Sequence, residues 1–540
     1  MRHLGRRIRP RPLALLLGVV ALLALAVGGA SAAERSPHGL DLPHQLNAAL
    51  SPESRENTSL LVQNNSPRKT TIVMDFYTPA GVLIAAASEI HPDVPAWATR
   101  TFEQKLSRGL LPGFQGVGVL SSDQPLNALL LREVSGPGSV RSYSIHNAHV
   151  ASMTRVALPY VANRLQEGGN GEVLNTRFSV ANAGLQVACV TITYELMPGR
   201  GGAPARGGVT VVSAPSSEAC PEGGHEIPVA GQLTLTPKAE NLALAMPATT
   251  GNSLMSVLIE STQPVTVAAD IYRGDAGNAQ LGSYNGFTIH KDGSNQDDIS
   301  RNVVMPVAQK GVGGYWTEYA ITNPWNEAVT GSIVYRGTVV GGAGREVEVT
   351  VDITVPARGG VTHSVFDSDA IPTGFSGWAL VKADLPVAAL VLRGKAGSSE
   401  HAYAAANGVP RGRTATTARF PLIFRNAHGD GEASGYNSWV GIAVADGGTA
   451  NVRIVAVNDP PDSGAEGCES LRLYRTTLTI TGSYFFDQAS DDEDETGLGD
   501  VPACMFGAMA ITSDKPIAAI GGVTSDLEVG DNDGMYNAFP

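Results

Sequence analysis

The feature that most constrains this chain is an internal repeat. Four eight-residue windows align without gaps: Asn57 to Asn64 (NTSLLVQN), Asn175 to Asn182 (NTRFSVAN), Trp316 to Asn323 (WTEYAITN) and Trp439 to Asp446 (WVGIAVAD). Each carries an apolar residue at its fourth and sixth places and Asn or Asp at its eighth. That is a period-two strand running into a turn, where Asn and Asp tolerate left-handed backbone and bond their own main chain. A second strand follows each turn, as TTIVMDFY from Thr70, VTITYEL from Val190, GSIVYRG from Gly331 and NVRIVAV from Asn451. These strands are rich in β-branched and aromatic residues, as half-buried strands require.

The third marker is a long shared segment. Val94 to Pro125 and Val355 to Pro386 have the same length and share V-P-A, a P-x-G-F or P-G-F approach, F-x-G and the closing proline; Val501 to Pro516 and Ser256 to Pro264 are shorter copies. In each, an apolar strand reaches a polar turn and resumes after proline, which predicts a hairpin. A tyrosine closes each copy, at Tyr143, Tyr284, Tyr403 and Tyr536, with the ring expected to pack at a domain end and its hydroxyl to bond backbone. The turn prolines Pro125, Pro264, Pro386 and Pro516 are 139, 122 and 130 residues apart. Such a period is too long for a propeller blade or solenoid unit, so each copy is expected to be a domain with its own core.

Composition agrees. Charged residues are 16% of the chain, against roughly 25% in an ordinary soluble domain, while Gly and Pro number 62 and 33. This disfavours long helices. The expected fold is all-β: four tandem antiparallel β-sandwich repeats at 40–150, 151–298, 299–412 and 413–540, behind a signal peptide at 1–32. The first twelve residues carry five arginines and no acid, an apolar run extends from Leu13 to Val27, and Ala30-Ser31-Ala32 offers the cleavage site. Removing those five positive charges takes the formal net charge from −13 to −18. An acidic surface repels phosphate backbones, which argues against nucleic acid as a partner. No second apolar run is long enough to predict a membrane span after signal cleavage.

The V-x-N, turn, V-x-[VI]-x-[FY] arrangement resembles the immunoglobulin-like repeats, adhesion-related modules included, found in tandem in secreted and surface proteins of bacteria. The resemblance covers nearly all of residues 45 to 540. It implies a β-sandwich scaffold with a surface or binding role, and it transfers no catalytic residue.

Four cysteines fall two per repeat, and an even count in an exported chain predicts the bridges Cys189–Cys220 and Cys468–Cys504. No H-E-x-x-H, P-loop, G-x-S-x-G or strand-borne G-x-G-x-x-G is present. No cofactor is expected. If a metal binds, it is calcium at the acidic run of the fourth repeat, through Asp491, Asp492, Glu493, Asp494 and Glu495, although the spacing is not that of an EF-hand. Gly530 to Gly534 (GDNDG) is a weaker candidate, read more simply as a hairpin turn. His146 and His149 form H-x-x-H in a strand or linker, where they face opposite sides. Arg273-Gly274-Asp275 sits where turn residues gather and reads as a chance triplet. Trp97, Trp316, Trp378 and Trp439 could line a sugar platform, yet Trp316 and Trp439 hold equivalent positions, which favours packing.

Two functions remain. The first is a non-catalytic extracellular or cell-surface protein, structural or adhesive, with cell-envelope, matrix glycan or protein partners. The second is a secreted glycan-binding or hydrolase-associated protein with a site in a divergent repeat. Repeats joined by short segments such as 148–157 and 408–418 predict an elongated molecule.

Overall fold

The computed structural model describes residues 40–42, 55–135, 141–148, 152–166, 173–197, 210–237, 253–273, 279–290, 298–341, 345–395, 403–425, 436–458, 473–488, 505–525 and 533–540. These residues are all-β, with antiparallel sheets and, among them, helix only as short 3-10 turns such as Ala85–Ala87. Each sequence repeat builds its own group of strands. In the first, Thr99–Glu103, Arg55–Asn64, Leu126–Ser135 and Arg141–Asn147 form one four-stranded sheet, and Leu40–Leu42, Val117–Ser122, Thr70–Tyr77 and Glu89–Val94 form the other.

The expected hairpin at the turn proline is a different device. In the first repeat the strand before Pro125 pairs with Thr70–Tyr77 in one sheet, and the strand after it pairs with Arg55–Asn64 in the other. In the later repeats the two halves are continuous, as Ser253–Arg273, Phe375–Lys395 and Met505–Ser525. The first half of Phe375–Lys395 pairs with Val329–Val339 and its second half with Tyr315–Thr322. The proline therefore marks a corner where one strand changes sheets, and the halves never fold back on each other.

Two side-chain staples recur with these corners. The eighth residue of the first three windows donates its amide to three carbonyls: Asn64 to Arg68, Val94 and Pro95; Asn182 to Gln186, Ile227 and Pro228; Asn323 to Glu327, Val355 and Pro356. The asparagine is thus selected as a donor tying the strand end to the V-P or I-P turn, and none of these three adopts a left-handed backbone. The second staple lies two residues before the proline, where Asp123 accepts from Thr70 and Thr71, Asp384 from Thr330, and Asp514 from Asn451.

The repeats do not lie in a row. Their closing strands, Arg141–Asn147, Ala279–Asn285, Tyr403–Asn407 and Asp533–Asn537, pack against one another in a cycle, first to second to third to fourth and back to the first. The hydrophobic cores continue across these contacts. Leu60 and Val62 point into the core of the first repeat, whereas Leu61, Leu129 and Ile145 join the core of the fourth. Ala320, Leu390 and Leu392 of the third repeat pack into the second in the same way, and Trp439 and Met535 of the fourth pack into the third. Strands of this ring are buried on both faces, so apolar residues occupy both alternations. The elongated arrangement is overturned by this closure: sandwich faces that would be solvated in a row are the walls between repeats.

Candidate functional site

At the centre of the ring four asparagines close a hydrogen-bonded cycle. Asn285 Nδ2 donates to the Asn147 carbonyl at 2.8 Å, Asn407 to Asn285 at 2.9 Å, Asn537 to Asn407 at 2.6 Å, and Asn147 to Asn537 at 2.8 Å. Each is the last residue of its closing strand, still in register with Leu129, Ala268, Leu390 or Ile520, and its carbonyl accepts the neighbour's amide. A cavity of about 360 Å³ caps this cycle, lined by the four asparagines, the Arg413–Asp298 ion pair and Phe539.

Below the asparagines the ring alternates. The first and third repeats read Tyr-x-x-x-Asn, and the second and fourth read Tyr-Asn. Three tyrosine hydroxyls donate to backbone: Tyr284 to Tyr160, Tyr536 to Leu422, and Tyr143 across the interface to Val523 of the fourth repeat. Burial pushes Tyr284 and Tyr536 well above the usual phenol range, so both are neutral donors.

The same alternation places two ion pairs inside the ring. Arg132 Nη1 lies 2.6 Å from Asp270 Oδ2, and Arg393 Nη1 lies 2.6 Å from Asp533 Oδ2. Arg132 and Arg393 are each 1% exposed, Asp270 3% and Asp533 0%. Asp270 also accepts from Arg177 at 3.3 Å and Ser283 at 2.7 Å. Asp533 also accepts from Trp439 Nε1 at 3.1 Å, and the Arg393 guanidinium lies 3.5 Å from the Tyr315 ring centroid and 4.4 Å from that of Trp439. Burial raises the Asp533 carboxyl above its ordinary value, with Arg393 and the Trp439 donor opposing that shift. Charges so enclosed depend on these partners, since burial without them is costly.

The residues singled out in the sequence fall as follows. Cys189 and Cys220 form a disulfide, Cα–Cα 5.6 Å, which ties the edge of Ala188–Leu196 to the turn before His225–Ile227. Cys468 and Cys504, the acidic run with Asp491, Asp492, Glu493, Asp494 and Glu495, His149, and Gly274-Asp275 lie outside the described residues. His146 is buried in a closing strand. Asp533 of GDNDG opens a closing strand and is held by Arg393 and Trp439, while residues 530–532 of that motif lie outside the described residues. Trp439 and Trp378 are buried, and Trp316 packs edge-on against Tyr403. Each of Trp316 and Trp439 faces a glycine across the sheet, Gly394 and Gly522, where an added Cβ would meet the indole at 2.4 and 2.2 Å. Trp97 alone of the four is exposed, at 48%. It stands at the mouth of a second cleft, between the first and fourth repeats. The ion pairs were missed, although Arg132 and Arg393 end otherwise apolar runs at the same distance from their prolines, in PLNALLLR and PVAALVLR.

No known family matches the sequence, and no curated protein does. Among solved structures, a biofilm-associated protein BSP domain aligns over 93% of this chain and 95% of its own, at 10% identity and a TM-score of 0.15. An Escherichia coli alpha-2-macroglobulin aligns over 92% of this chain, at 10% identity and a TM-score of 0.15, with this chain spanning 43% of its length. Overlaps of that quality leave the fold to be read from the strands themselves. Among the described residues, no helix is long and apolar enough to cross a membrane, and no group of three or more His, Cys, Asp or Glu is placed to hold a metal.

Proposed function

We propose that this protein is a non-catalytic extracellular scaffold, in which four β-sandwich repeats are locked into a ring that presents loops and clefts to surface or matrix partners. The observation that carries this reading is where the buried ionisable groups go. Arg132, Arg393, Asp270, Asp533 and Tyr143 join one repeat to the next, while Tyr284 and Tyr536 bond backbone within their own repeats. A catalytic constellation instead keeps perturbed acids, bases and nucleophiles converging on an open pocket. The Cys189–Cys220 disulfide fits an oxidising compartment, and with it secretion behind the N-terminal export signal. What remains variable at the surface is loop length and charge, the usual way a rigid scaffold carries recognition.

The test has two arms. A panel of glycosidase, esterase and peptidase substrates should give no turnover above a heat-denatured control, while purified protein should be retained on isolated cell-envelope or matrix material. Reproducible hydrolysis lost on a single Asp, Glu, Ser or His substitution would replace the scaffold with an enzyme.

A further inference from the structure

The turn that follows the V-P or I-P dipeptide has the same backbone in three repeats. Ala98, Gly231 and Gly359 donate back to Pro95, Pro228 and Pro356, and the third residue of each turn has positive φ: Trp97 at 64°, Ala230 at 55° and Arg358 at 55°. Such a backbone suits glycine and is strained for a bulky side chain. The framework therefore explains the conformation at Trp97 and gives no reason for an indole there. Unlike Trp316, Trp378 and Trp439, this ring is not consumed in packing, since close to half of it remains open.

Trp97 borders a cleft of about 560 Å³, formed where this turn overhangs the outer sheet face of the fourth repeat, and the volume is within the roughly 300–1,000 Å³ of small-molecule sites. Its floor is apolar, with Val455, Val457 and Ala508. Its rim holds Arg100 and Arg419. The Arg419 guanidinium stands 5.7 Å from the Trp97 ring centroid and gives one N–H to the Pro540 carbonyl. Among the described residues no Asp or Glu side chain pairs with either arginine.

We propose that this cleft binds a short carboxylated oligosaccharide, one with uronic-acid rings. The indole supplies a flat face for the C–H side of a sugar ring, the apolar floor takes ring edges, and Arg100 and Arg419 pair with carboxylates in the planar geometry suited to them. A nucleic acid would satisfy the same cations but would press its remaining phosphates against an acidic surface. The assignment deepens the scaffold reading by naming what one of its surfaces recognises.

The experiment titrates the full chain with tetragalacturonate, following tryptophan fluorescence and heat, beside neutral maltotetraose. Tetragalacturonate should bind saturably, more weakly as salt rises, and at least about tenfold tighter than maltotetraose. Trp97→Ala should lose about tenfold or more in affinity while melting like the parent, because alanine already occupies the equivalent turn position at Ala230. The pair Arg100→Gln and Arg419→Gln should erase the preference for the anionic sugar. Equal binding by Trp97→Ala, equal binding of the neutral sugar, or no saturable binding would overturn the site. Cleavage of tetragalacturonate would instead overturn the scaffold reading and leave the site standing.

Discussion

Removing the carboxylate of Asp533 should be among the most damaging single changes to this ring. In Asp533→Ala the Arg393 guanidinium stays 1% exposed, keeps its Nε bond to Gln309 at 3.0 Å, and loses the partner that sat 2.6 Å from Nη1. Trp439 Nε1 loses its acceptor as well. Leaving one half of a buried pair uncompensated costs about 3–5 kcal/mol, so the unfolding equilibrium should shift by roughly two to nearly four powers of ten. Stacking on Tyr315 and Trp439 is present with and without the carboxylate, so it cancels in the comparison. Asp270→Ala should cost a comparable amount, because Arg132 is equally buried at 1% exposed and Arg177 places a second cation beside it. The assay is denaturant unfolding of the full chain followed by tryptophan fluorescence, with Arg393→Met added to Asp533→Ala as the compensating double variant. The reasoning requires the double variant to recover most of the loss. A single-variant cost under about 1 kcal/mol, or no recovery in the double variant, would refute it.

Further outcomes follow from the same geometry. Small-angle scattering should give a radius of gyration near 24 Å for a compact body of this size, and a value near 40 Å would mean that the ring does not close in solution. Cys189→Ser with Cys220→Ser should lower the stability of the second repeat by about 3–4 kcal/mol in the chain-entropy treatment for a separation of 31 residues, read as an earlier unfolding step. Thr330 hydrogen bonds hold the Asp384 carboxyl below its usual range, and the backbone and side chain of Asn451 do the same for Asp514. Depressed folded-state values stabilise above the unfolded pKa of about 4 and lose that contribution as pH falls through the lower folded values. Asp384→Asn with Asp514→Asn should therefore flatten the acid limb of a melting-temperature profile, and an unchanged limb would rule the staples out.

The strands were legible because a period-two pattern with β-branched residues has few other readings, and the framework Asn, Asp and Pro positions could be found by spacing alone. The ring was not legible for a reason visible in NTSLLVQN. Leu60 and Val62 obey the alternation expected of a sandwich face, and Leu61 between them reads as an ordinary surface leucine until Leu129 and Ile145 are seen to carry it into the fourth repeat. Runs such as ALLL and AALVL, apolar on both alternations, held the signal of burial on two faces. The proline corner misled for a related reason. A polar turn between two apolar segments looks the same whether the chain folds back or crosses to the opposite sheet, and only the partners of each half distinguish the two. Trp97 was visible as a residue and invisible as an exception, because its turn conformation is shared with Ala230 and Arg358.

The alternation of the repeats also bears on their order. Arginine is carried by the first and third, and aspartate by the second and fourth, so the two buried pairs join first to second and third to fourth. The remaining joints, second to third and fourth to first, hold no buried arginine–aspartate pair among the described residues. They pack through Ala320, Leu390 and Leu392 in one and Leu61, Leu129 and Ile145 in the other, with hydrogen bonds such as Tyr143 to Val523 beside them. An odd repeat seated on another odd one through its charged face would enclose two guanidiniums with no carboxylate, and an even pair would enclose two carboxylates, either at several kcal/mol. The ion pairs need not add net stability to have this effect, since well-packed apolar residues could hold the same joint as firmly. Their consequence is a difference between arrangements. Four sandwiches of similar shape could close in more than one way on apolar contacts alone, and the arginine–aspartate alternation makes the misordered closures costly.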